Sequence, residues 1–155
     1  MSSHEQPLDP ARDRWFLGTL MRMHATSAET GGAVSVVEQR APAGFSPPLH
    51  VHAHEDAVII VLEGELTVQV GEARRKVMPS ESVFLPRRVP HTFRADVPSR
   101  VIEITTPGGS DEFYTENGTP AARRELPAPE PIDIGRLAQS ASKRQVDTLG
   151  PPLVD

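Results

Sequence analysis

The sequence predicts an all-β domain, a sandwich or a closed barrel, on three observations. Short segments rich in Val, Ile and Thr recur between Trp15 and Thr106. Each is bounded by Pro, Gly or a polar turn, and helical periodicity is almost absent between them. Short strands at such regular spacing are the signature of an antiparallel sandwich or barrel.

Taken in order, Trp15–Ala25 reads as one strand, although Gly18 and Thr19 interrupt it. Gly31-Gly32 turns the chain into Ala33–Gln39, whose valines suit a pleated surface. A short strand carries Leu49-His50-Val51-His52, and a charged turn at His54-Glu55-Asp56 follows. Ala57–Leu62 is apolar at both parities, which predicts burial on both faces. Glu63-Gly64-Glu65 reverses the chain, and Leu66, Val68 and Val70 alternate with polar residues as a hairpin partner should. Further strands are expected at Arg75–Met78, Ser82–Leu85, His91–Arg94 and Arg100–Thr105. After Pro107-Gly108-Gly109, a helical turn over Asp111–Glu116, a Pro-rich stretch to Pro131, a short helix at Ile134–Lys143 and an irregular end at Leu149–Leu153 complete the reading. The expected organisation is a flexible arm over residues 1–13, a barrel over 14–109 and a Pro-rich extension over 110–155.

The 155 residues suffice for one domain with its own core. A net charge of −5, with no basic run longer than Arg74-Arg75-Lys76, argues against nucleic acid as partner. The absence of cysteine excludes disulfides, thiolate nucleophiles and zinc–sulfur sites. No apolar run is long enough to span a bilayer, and Met1–Glu5 has no secretory character, so a cytoplasmic location is expected. Phosphate loops, nucleophile elbows and dinucleotide fingerprints are missing.

Histidine placement is the informative feature. Of the six, His50, His52 and His54 fall within five residues. Side chains at i and i+2 of a strand share a face, so His50 and His52 point the same way. At roughly 6–7 Å along the strand they can converge on one cation at ~2.1 Å each. His91, opening another strand after Pro86 and Pro90, is the candidate third ligand. His24 and His4 read as ordinary strand and tail residues. Arg87 and Arg88 stand near His91 and could steer an anion to a pocket mouth, or be a solvated turn. Phe84, Phe93 and Ile59 would line or underlie an apolar cavity.

Gly44, His50, His52 and Gly64, followed by Pro86 and His91, stand in the register of the two cupin motifs, and the chain resembles the cupin superfamily from Trp15 to Gly109. Its closest likeness is to small single-domain bacterial members of the quercetin dioxygenase type. That resemblance implies a double-stranded β-helix, or jelly-roll barrel, with a short C-terminal helix and extended tail. It also implies one divalent transition metal (Fe, Ni, Mn, Co or Zn) on His50, His52 and His91, and pairing as a homodimer, with Trp15 and Phe16 as candidate interface residues. In such relatives a motif glutamate is both ligand and supposed base; here its place is taken by Ala57. His54 is the first candidate substitute, ahead of Glu103 and Asp56, the last being one residue out of phase. Ser80 and Arg88 occupy places the motif gives to glycine, so Arg88 must accept a left-handed backbone at a cost of about 1 kcal/mol, or its turn is rebuilt.

The functional expectation is a metal-dependent, dioxygenase-like protein acting on a small enolic or phenolic compound, or a cyclase or isomerase using the metal as an electrophile. The alternatives are a non-catalytic small-molecule-binding barrel with a degenerate metal site, and an oligomeric accessory protein with a vestigial pocket.

Overall fold

The computed structural model describes residues 6–154; the tail reading of His4 and the first part of the expected arm lie outside them. Two antiparallel sheets face each other as a jelly-roll barrel. The first is built from β1 (Asp13–Phe16), β2 (Thr19–Ala25), β3 (Ser35–Ala41), β5 (Asp56–Glu63), β8 (Ser82–Leu85), β10 (Ser99–Thr106) and the two-residue β11 (Thr119–Pro120). Their spatial order is β11-β1-β2-β3-β10-β5-β8. The second runs β12-β4-β9-β6-β7, with β4 at Pro48–His52, β6 at Leu66–Val70, β7 at Ala73–Val77, β9 at His91–Ala95 and β12 at Val146–Pro152.

Trp15–Ala25 is two strands. Leu17 and Gly18 take positive φ, 50° and 78°, and make the tight hairpin turn whose twist suits paired strands. Gly64 makes the reversal between β5 and β6 at φ 92°, where a Cβ would lie 2.3 Å from Ser99 Oγ and 2.6 Å from the Pro98 carbonyl. Only glycine fits there.

The inner faces of both sheets make the main core, with Ile59, Val61, Leu66, Val68, Val77, Leu85, Phe93 and Val101 among its buried members. After the short α1 (Ser27–Thr30), two helices cover a second cluster: Phe16, Met21, Met23 and Val37 lie under α2 (Ser110–Asn117) and α3 (Ile134–Lys143), which contribute Phe113, Tyr114 and Leu137. Phe16 is thus covered edge-on by Phe113 and Tyr114 of its own chain. Trp15 donates to the Glu125 carbonyl and lies against Arg123. The two aromatics proposed for a subunit interface are occupied within the chain.

β5 differs from expectation on one face. Ala57, Ile59 and Val61 are buried inward, but the outward residues stay partly open and Leu62 is 37 % exposed. Phe84, opposite Val58 on the edge strand β8, is 57 % exposed, so it does not line the interior, whereas Ile59 and Phe93 do. No helix covers this outer face among the described elements. The C-terminal end is likewise more ordered than its Gly-Pro-Pro composition suggested. β12 adds to the edge of β4, pairing Val146 with His52 and Thr148 with His50 through irregular register shifts that absorb Gly150 and Pro152.

Residues 6–13 are docked rather than loose. The Arg22 guanidinium grips Asp13 with two 2.8 Å hydrogen bonds and also donates to the Pro7 carbonyl. Arg124 adds a contact to Asp13, which is 0 % exposed. Burial raises the Asp13 carboxyl, but these partners outweigh it and hold it below the usual aspartate range.

Candidate metal centre

β4 and β9 are neighbours, and His50 is in direct register with His91. His91 alternates in phase with Phe93 and Ala95, which belong to the core, so this pair faces the barrel interior. His52, two residues beyond His50, joins them on the same face. The ring centroids lie 4.5 Å apart for His50 and His91, 5.2 Å for His50 and His52, and 5.4 Å for His52 and His91. One ligand nitrogen from each ring lies within 4.8 Å of the other two.

Each ring is oriented through Nδ1. His50 Nδ1 is 2.7 Å from the Pro48 carbonyl and His91 Nδ1 is 3.3 Å from the Val89 carbonyl. Carbonyl oxygens only accept, so both Nδ1 atoms carry the proton and both Nε2 atoms keep a free lone pair. His52 Nδ1 meets Glu55 Oε2 at 3.1 Å, an arrangement with the same consequence. Burial, outweighing the hydrogen bond to Pro48, pushes His50 down to about 4. Burial and the neighbouring imidazoles push His91 down to about 3. Both rings are therefore neutral near pH 7, the state that binds a metal. For Glu55, burial acts upward, but the contacts to His52 prevail and hold the carboxylate below its ordinary value.

A model of the cupin domain matches residues 36–105, the stretch that holds all three histidines. The chain has the cupin fold, with residues 36–105 as its cupin domain. It is 27 % identical over 134 residues to quercetin 2,3-dioxygenase of Bacillus subtilis (strain 168), an alignment covering 84 % of this chain and 40 % of that protein. The chain thus spans less than half the length of that relative. The fold is similar to KdgF from Halomonas sp., with TM-score 0.59 and 20 % identity over 70 % of this chain and 99 % of that one. It is also similar to an RmlC-like cupin from Shewanella frigidimarina NCIMB 400, with TM-score 0.58 and 21 % identity over 72 % and 96 % of the two chains.

Within this cupin the glycine replacements keep the backbone of the motif. Ser80 and Arg88 both adopt left-handed conformations, φ 72° and 64°. The turn is retained with strained residues, and the Arg88 N–H donates to the His52 carbonyl at 2.7 Å, tying the ligand strand to the loop before His91. Arg88 is exposed, and Arg87 pairs with Asp56.

The structure separates the proposed substitutes for the motif glutamate. Ala57 lies on the inner face of β5, opposite Leu85 and Thr105, and is 7 % exposed. His54 does not take up its role: β4 ends at His52, the chain bends as Ala53 N–H bonds the Gln145 carbonyl, and the exposed His54 ring turns to the Gln145 side chain. Asp56 accepts from Arg87 through main chain and side chain and stays outside the group, as its one-residue offset requires. Glu103 does share the inner face, in register with Ile59 of β5 and Val37 of β3. Its carboxylate nevertheless stands apart from the cluster, which among the described residues consists of the three histidines alone. His24 sits at the end of β2 and contacts Glu38 at 3.0 Å. Sequence reasoning missed Glu55 and Tyr114: the first acts across a bend, where the two-residue rule says nothing, and the second comes from a helix with weak periodicity.

Proposed function

We propose that this cupin holds one divalent transition metal on Nε2 of His50, His52 and His91. It would act as a metal-dependent, dioxygenase-like enzyme on a small enolic or phenolic compound. The observation that carries the reading is the shared orientation of the rings. Three imidazoles from adjacent strands each commit Nδ1 to an acceptor of the chain, leaving three Nε2 atoms without a hydrogen-bond partner among the described residues, in a cluster whose ligand nitrogens lie within 4.8 Å of one another. Three imidazole donors with open positions suit iron, nickel, cobalt, manganese or zinc.

A bound ion would supply Lewis acidity toward a coordinating hydroxyl and a path for electrons between an oxidisable substrate and O₂. The chain's own part is to hold and screen. Glu55 fixes the His52 tautomer, the carbonyls of Pro48 and Val89 fix the other two, and Ile59, Phe93 and Leu85 provide a dry wall. The likeness to quercetin 2,3-dioxygenase supports an enolic or phenolic substrate. The missing carboxylate at Ala57 favours the second reading, a barrel that binds such a compound without turning it over. Pairing with a second copy also belongs to this proposal, through the uncovered apolar face of β5 and β8 that exposes Leu62 and Phe84.

Elemental analysis of untagged protein is the test. The parent should carry metal near one equivalent per chain, and His52→Ala should lose it with the fold intact by circular dichroism. Equal metal content in both proteins would refute the ligand assignment. Oxygen uptake with a flavonol, present in the metal-loaded parent and absent without metal, separates the enzyme from the binding barrel.

A further inference from the structure

Two buried titratable groups, Glu103 and Tyr114, lie outside the histidine cluster. Glu103 projects from the inner face of β10, in the sheet opposite the one that carries the histidines. Facing sheets stand about 10 Å apart, backbone to backbone, so the carboxyl and the imidazoles face each other within the barrel, and His52 acts on the carboxyl electrostatically. Glu103 lies deep in the fold yet keeps part of its surface accessible, as an interior wall would. Tyr114 of α2 donates its hydroxyl to Oε1 at 3.0 Å. Oε2 has no hydrogen-bond partner among the described residues and is not sealed from solvent. The carboxyl is therefore gripped on one oxygen and open on the other, which is the arrangement of a positioned acid–base group.

We propose that Glu103 is the proton acceptor for a hydroxyl-bearing ligand bound between it and the histidines, with Tyr114 as its positioning residue. The proposal rests on the enolic or phenolic reading above and deepens it by placing the base outside the metal's ligand shell. The ligand's O–H bond breaks, the proton passes to Oε2, and the electron pair stays on the ligand oxygen, where a cation on the histidines would stabilise the charge. No oxidant enters this step. The ligand class follows: a compound with an acidic hydroxyl beside a second oxygen, such as a catechol or an enol adjacent to a ketone. The groups that face the carboxyl are few. From β3 and β5 come Val37 and Ile59, which carry no charge; from α2 comes Tyr114; from β4, His52 acts on it electrostatically. Burial is the larger influence and raises the carboxyl above the ordinary glutamate value, against the opposing pulls of Tyr114 and His52. Burial and the Glu103 charge hold the Tyr114 phenol well above its ordinary value, so it stays a donor.

The probe is 4-nitrocatechol, titrated by absorbance from mildly acid to neutral pH against metal-free and cobalt-loaded protein. Parent affinity should climb with pH along a limb set by Glu103. Glu103→Gln should lack that limb and bind at least about tenfold more weakly at neutral pH, the loss of one charge-assisted hydrogen bond. Tyr114→Phe should keep the limb but move it to higher pH, because the carboxylate loses the donor that favours ionisation. An unchanged profile in Glu103→Gln, or an unmoved limb in Tyr114→Phe, would overturn the proposal. Should Glu103→Gln fail to fold, the Tyr114→Phe limb decides alone. Cobalt uptake is followed in every protein. A parent that takes up no cobalt but shows the Glu103 limb sinks the metal reading and leaves this one standing; normal uptake without the limb does the reverse.

Discussion

Restoring the missing carboxylate, Ala57→Glu, adds a methylene and a charge at an inward position that is 7 % exposed and flanked by Leu85 and Thr105. Overfilling such a site costs about 1–3 kcal/mol. An unpartnered buried carboxylate adds several more, part of which it escapes by taking up a proton, for a total of about 3–5 kcal/mol. At about 3 °C per kcal/mol for a chain of this size, the metal-free variant should melt roughly 10–15 °C below the parent. Metal offsets part of the effect. If the new carboxylate tightens binding about tenfold, the variant gains about 1.4 kcal/mol more than the parent at the same saturating free cobalt, a differential of about 4 °C. Thermal unfolding of both proteins with chelator and with cobalt measures both quantities. A variant that melts like the parent without metal, or gains no more than the parent with it, would show that position 57 does not face the histidines.

Three further outcomes follow from the same geometry. Gly64→Ala combines φ 92° with contacts of 2.3 and 2.6 Å to Ser99 and Pro98, so it should destabilise by at least about 4 kcal/mol in urea unfolding, or fail to express as folded protein. Ser80→Gly relieves a left-handed residue at φ 72° and should stabilise by about 0.5–1 kcal/mol after the entropic cost of glycine, a melting increase of about 1–4 °C. In metal-free protein, His50 near 4 and His91 near 3 both lie below the ordinary 6.5. The unfolded chain therefore takes up protons as pH falls through 6.5 while the folded one does not. Their contribution is complete above about pH 6.5 and is lost toward pH 4, roughly 2–4 kcal/mol by pH 5 in chemical denaturation. A His50→Asn, His91→Asn double variant should show a shallower fall over that window; an identical slope would contradict the assignment.

The strand pattern was legible wherever one face of a strand is buried, because alternation then records the pleat: Leu66–Val70 and Ser82–Leu85 have the bounds expected of them. The convergence of His50, His52 and His91 was legible for the same reason, once a second strand was assumed to supply His91. What failed were inferences that local pattern does not carry. Ala57–Leu62 looked buried on both faces, yet hydropathy does not say whether an apolar outer face finds a cover within the chain. His54 kept the two-residue spacing, but the strand ends before it, and spacing means nothing across a bend. The Gly-Pro-Pro end reads as irregular by composition, yet as an edge strand it needs hydrogen bonds on one side only, which lets prolines sit beside β4. Glu55 and Tyr114 were invisible because their partners, His52 and Glu103, are set by tertiary geometry.

Anomalous diffraction from a crystal of cobalt-loaded protein tests the central claim most directly. One strong peak is expected inside the barrel, about 2.1 Å from Nε2 of His50, His52 and His91, with Nδ1 of each ring still on its carbonyl or carboxylate partner. Density confined to surface groups such as His24 or His54, with the interior histidines bonded only to water, would contradict it.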